Sequence, residues 1–64
     1  MTLTSLGQIK PGVLLRNTES GFSLLVLDVK FNFGFARIDY LSRDGLRAYH
    51  EIYFMNVKLY ELIS

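Results

Sequence analysis

Sixty-four residues with seven basic and six acidic side chains, a net charge of +1 and no cysteine make one small domain. They exclude a disulfide framework, a thiolate zinc site and a cysteine nucleophile, and they contain no basic run of the kind that tracks phosphates. Half of the residues are apolar and the mean hydropathy is positive, so a chain this short leaves apolar side chains at its surface, where a contiguous patch marks an interface.

The N-terminal arm, residues 1–9, has no basic stretch followed by an apolar one, so no signal peptide is expected. Lys10-Pro11-Gly12 reads as a turn, with proline setting φ at the second position and glycine supplying a positive φ at the third. A first strand is expected at 13–17, ending before the turn residues Glu19-Ser20-Gly21, and a second at 23–31. That second segment holds the longest aliphatic run, Leu24-Leu25-Val26-Leu27, far short of the roughly 18 residues of a membrane span. A cytoplasmic location is the expectation.

Phe31-Asn32-Phe33-Gly34 forms the next turn, followed by strands at 34–41 and 46–54 on either side of Ser42-Arg43-Asp44-Gly45. The tail carries two signals. Ile52, Met55, Leu59 and Leu62 recur at helical spacing, whereas Ile52, Tyr53, Phe54, Val57 and Tyr60 are β-favouring types. The preferred reading is a strand through 53, one helical turn near Phe54–Val57 and a closing strand 58–62; a helix over 49–62 is the alternative.

Register follows from the turns. Arg43-Asp44-Gly45 suits a type I turn with a left-handed glycine, which pairs Tyr40 with Ala48, Ile38 with His50 and Ala36 with Ile52. Keeping apolar groups together in the first hairpin pairs Val29 with Ala36, Leu27 with Ile38 and Leu25 with Tyr40. The expected inner face is then Leu25, Leu27, Val29, Ala36, Ile38, Tyr40, Ala48 and Ile52. The outer face gains a row Asp28, Arg37, Glu51, flanked by Lys30, Phe35, Tyr53 on one side and Val26, Asp39, Tyr49 on the other.

Five short strands, the opening Ile9-Lys10-Pro11-Gly12-Val13-Leu14-Leu15-Arg16, the run Leu24 to Val29 and the ending Val57 to Ile63 resemble small single-domain SH3-like barrels, common in bacteria and in the early genes of their bacteriophages. The resemblance covers nearly the whole chain and rests on generic turns and apolar runs. It implies an all-β, five-stranded barrel with a short helical turn before the last strand, acting as a binding module without a specified ligand. Phe33-Gly34-Phe35-Ala36, preceded by Val29-Lys30-Phe31-Asn32 and followed by Ala48-Tyr49-His50, looks like the aromatic motif of cold-shock domains, in which such rings stack on single-stranded bases. It departs from that family where Asn32 abuts Phe33 without a linker, and where Phe31 and Asn32 replace a basic residue and a glycine.

Catalysis is not expected. His50 is the only histidine, it is assigned inward beside Ile38 and Ile52, and its neighbour Glu51 points to the other face. Asp28 and Glu51 are separated by Arg37 in the expected row, and no phosphate-binding glycine loop exists. No metal or other cofactor is implied. Surface recognition remains: Phe31 and Phe33 at a tip, and Phe35, Tyr49 and Tyr53 beside Arg37 and Lys30, have hot-spot composition. Phe31 and Phe33 either fold back over the barrel end or anchor a partner, and the arm's Leu3, Leu6 and Ile9 either cover the outer face or leave it open. The expected function is a non-enzymatic regulator or inhibitor that occludes a surface of a larger protein. Single-stranded nucleic-acid binding by the same rings, and a homo-oligomer joined through free edges at 13–17 and 58–62, are the alternatives.

Overall fold

Alternating apolar residues broken by glycine turns fold this chain into a single antiparallel sheet, as described by a computed structural model covering Met1–Ser64. Strands β1 (Leu14–Asn17), β2 (Ser23–Asn32), β3 (Phe35–Ser42), β4 (Arg47–Tyr53) and β5 (Tyr60–Leu62) lie in the order β4-β3-β2-β1-β5. Two 3-10 segments accompany them, Leu6–Gln8 in the arm and Phe54–Leu59 between β4 and β5. The second carries the chain from one edge of the sheet to the other, so β5 pairs with β1 and the sheet stays open between β4 and β5.

The tail follows the strand–turn–strand expectation, and no continuous helix spans 49–62. Its 3-10 segment is longer than one turn, and β5 begins at Tyr60 rather than 58. Val57 is the buried residue of that segment and Leu59 packs against the core beside it, so these two side chains hold the crossover while Phe54 and Met55 stay exposed.

The core lies on one side of the sheet and draws on every part of the chain. Leu3 and Ile9 come from the arm, Leu15 from β1, Leu24 and Val26 from β2, Ala36 and Ile38 from β3, and Ile52 from β4; Val57 and Tyr60 complete it. Burying an aliphatic side chain of this size contributes about 1.5–3 kcal/mol, which is why the arm is not a loose tail. It runs along the outer side of β5: Thr2 bridges Glu61, the Leu3 N–H donates to the Tyr60 carbonyl at 2.9 Å, and the Leu62 N–H donates to the Met1 carbonyl at 2.6 Å. Arg16 and Glu61 form an ion pair across β1 and β5.

The free edges therefore differ from those expected. Segment 13–17 lies inside the sheet, because β1 bonds to both β2 and β5, and the 58–62 edge is occupied by the arm. The edge without a partner is β4.

The second hairpin has the expected register, with Tyr40 opposite Ala48, Ile38 opposite His50 and Ala36 opposite Ile52. Gly45 takes φ +82° in its turn. The first hairpin does not. Val29 faces Ile38 and Phe31 faces Ala36, two residues away from the expected pairing, and Val26 faces Tyr40 beyond a bulge between Val26 and Asp28. Two causes act together. Gly34, at φ +88°, allows a two-residue turn with Asn32 opposite Phe35, which is tighter than the loop the expected register requires. The bulge then absorbs Leu27 and reverses the alternation of the strand before it.

As a result Leu24 and Val26 enter the core, while Leu27 is 37% exposed and Leu25 lies half-buried on the opposite side. Of the expected inner face, Ala36, Ile38 and Ile52 are buried, Val29 and Tyr40 pack against the core, and Ala48 is exposed.

Candidate binding surface

Each strand sends alternate side chains to the face opposite the core. From β2 these are Asp28 and Lys30, from β3 Phe35, Arg37 and Asp39, and from β4 Arg47, Tyr49, Glu51 and Tyr53, as the burial of their neighbours Ala36, Ile38 and Ile52 requires. Phe35 faces Tyr53, their rings 5.3 Å apart and tilted by 35°. The Arg37 guanidinium lies over the Tyr49 ring, 4.2 Å from its centroid, a stacking that holds the charge and the ring in one plane stack. The Tyr53 hydroxyl donates to Glu51 Oε1 at 3.4 Å.

The charge rows are rearranged by the register change. The expected row Asp28, Arg37, Glu51 is replaced by Lys30, Arg37, Glu51, and Asp28 sits opposite Asp39. Like charges directly across a sheet are unfavourable. The two basic residues and the two acids are diagonal neighbours, so each pair offsets the other, and Asp28 Oδ1 also accepts a bond from the Val29 N–H at 2.9 Å. These four charged residues and Val29 line an open hollow of about 290 Å³. The aromatic row is likewise Asn32, Phe35, Tyr53, with Lys30 one row further in.

Of the seven residues singled out by sequence, five share this face: Lys30, Phe35, Arg37, Tyr49 and Tyr53. Tyr49 is 63% and Tyr53 44% exposed. Nothing from the arm covers them, because Leu3 and Ile9 are buried in the core and Leu6 packs against it; of the two alternatives for the arm, the face is left open. Phe33 occupies the first central position of the turn and is fully exposed, so it does not fold back as a lid. Phe31 belongs to the other side of the sheet, opposite Ala36, and is 56% exposed.

Phe54 and Met55, which in the sequence stand out only as part of the tail, also reach this surface. The Phe54 N–H donates to the Gly34 carbonyl at 2.9 Å, and its ring lies against Gly34. Phe31, Phe33, Phe54 and Met55 thus leave one end of the sheet apolar and exposed. The signal was the unbroken run Ile52-Tyr53-Phe54-Met55, which continues past the strand end.

A second hollow, of about 200 Å³, opens where β4 and β5 fail to meet, lined by residues including Phe22, Tyr40, His50 and Tyr60. His50 does face inward as expected, with Nε2 3.1 Å from the Tyr60 hydroxyl. Phe22 and Tyr40 meet edge to face, centroids 6.0 Å apart. No three histidine or carboxylate side chains gather where they could hold a metal ion, and no helix is long and apolar enough to cross a membrane. Comparison with protein-family models, with curated proteins and with solved structures found no match.

Proposed function

We propose that the chain is a non-catalytic binding module that docks the outer face of β2–β4 and the adjoining hairpin tip on a larger protein and blocks the surface it covers. One observation carries this reading. Phe35, Tyr49 and Tyr53 lie with Arg37 on a face that the arm leaves open, while the arm's own apolar residues are spent in the core. Aromatic rings and arginine held rigid by neighbours lose little entropy on binding, the usual composition of an interface anchor. Three strands spaced about 4.8 Å apart offer a narrow platform, so a stable contact of about 800 Å² per partner needs the tip as well. The strand order, with a 3-10 segment before the last strand, supports an SH3-like barrel as the underlying fold.

The test is capture by the tagged chain, with Tyr53→Ala and Phe33→Ala as separate variants, each checked for an unchanged circular dichroism spectrum. A protein retained by the wild type and lost by both variants supports the reading. Equal capture by all three removes it.

Single-stranded nucleic acid is a second reading, favoured by Lys30 lying directly opposite Arg37 beside the Phe35–Tyr53 pair. Stacking contributes about 1–3 kcal/mol per base. Fluorescence anisotropy with labelled single-stranded DNA and RNA decides: salt-sensitive binding lost in Phe35→Ala supports it, and no binding at low salt removes it.

A further inference from the structure

The one unpartnered edge of the sheet is self-complementary, and we infer that two copies of the chain pair antiparallel through β4. Hydrogen bonds from the Ser42 N–H to the Leu46 carbonyl and from the Phe54 N–H to the Gly34 carbonyl bracket the β3–β4 ladder. In an antiparallel ladder the bonded positions alternate, so Ala48, His50 and Ile52 turn their backbone groups toward β3. Arg47, Tyr49, Glu51 and Tyr53 turn theirs outward, with no strand to receive them.

The side chains on those outward positions select the occupant. A two-fold axis through Tyr49 sets Tyr49 against Tyr49 of the second copy and Arg47 against Glu51 of the second copy, twice by symmetry. Each of these facing pairs exchanges two backbone hydrogen bonds. An axis through Glu51 would set acid against acid, and one through Arg47 base against base. An axis through His50 would pair Tyr49 with Glu51 and Arg47 with Tyr53, leaving the charges unmatched. Within one chain neither Arg47 nor Glu51 is in an ion pair, the only such pair being Arg16–Glu61. The edge strand Arg47-Ala48-Tyr49-His50-Glu51-Ile52-Tyr53 has no proline, lysine or bulge to guard it, its two charges are of opposite sign, and a net charge of +1 opposes association little. The product is a continuous ten-stranded sheet with the two outer aromatic faces side by side.

Sedimentation equilibrium over a dilution series tests this with Arg47→Glu, Glu51→Arg, their equimolar mixture and the double variant. Both positions are exposed and remote from the core, and circular dichroism confirms folding. Each single variant is expected to raise the dimer dissociation constant roughly tenfold or more, since it replaces both attractive cross-strand pairs with repulsive ones. The mixture and the double variant restore opposite charges across the axis and are expected within about threefold of wild type. A wild type that stays monomeric to millimolar concentration overturns the inference, as does a dimer that ignores the single swaps or is not restored by the mixture. Capture of a partner through Phe33 is read separately, so either result stands without the other.

Discussion

Exchanging Leu24 and Leu27 for alanine, one at a time, tests the register of the sheet, because the bulge puts them on different footings. Leu24 is 3% exposed and Leu27 37%. Truncation removes three carbon atoms, about 0.8 kcal/mol each in transfer from water. For Leu24 a further amount follows from the space left inside the core, about 24 cal/mol per Å³ of cavity that does not collapse. The expected loss is about 2–5 kcal/mol for Leu24→Ala. Leu27 has no core around it, and its neighbours can close over a missing side chain, so about 1 kcal/mol or less is expected. A domain of this length has roughly 3–10 kcal/mol of stability in all, so the first variant is close to unfolding and the second is not. Urea unfolding followed by circular dichroism, with equal m-values confirming a common denatured state, measures both. Equal losses, or a larger one for Leu27→Ala, would refute the bulged register and restore the unbulged one.

Gly34→Ala forces a side chain into φ +88° and is expected to cost about 1–2 kcal/mol in the same unfolding assay. Leu3→Ala, which removes a core residue supplied by the arm, is expected to cost about 2–5 kcal/mol; a loss under about 0.5 kcal/mol would mean the arm is not docked. Arg16→Ala breaks the ion pair with Glu61, which is partly exposed, so a loss of only about 0–1 kcal/mol is expected, shrinking further in high salt. Phe33→Ala leaves stability within about 0.5 kcal/mol of wild type, which separates its role in capture from any role in folding.

Turn chemistry made most of this architecture readable. Arg43-Asp44-Gly45 specifies one short turn, so the β3–β4 pairing and the alternation of Ala36, Ile38 and Ile52 follow from it. The first hairpin was harder because Leu24-Leu25-Val26-Leu27 is apolar at every position. Such a run does not say which side faces inward, and a bulge within it leaves no mark in residue type. The position of Asp28 and Lys30 depends on that bulge, and with it the charge rows of the binding surface. The arm was ambiguous for another reason. Leu3, Leu6 and Ile9 show that it packs somewhere, but whether on the core or over Tyr49 and Tyr53 depends on the unpaired side of β5, a feature visible only once the strands are ordered. The rings themselves were legible as a group. Their division between the outer face, the tip and the far side of Phe31 required the two-residue turn at Gly34.

Docking of the outer face and tip on a larger protein is read at the level of single residues by site-specific photo-crosslinking. A photoreactive residue is placed at Lys30 on the outer face, at Phe33 on the tip, and at Ser20 in the β1–β2 loop as a control. Irradiation at 30 and 33 is expected to yield the same adduct, larger than two copies of the chain, and irradiation at position 20 none. Adducts at 20 alone, or equal adducts at all three positions, would contradict that docking.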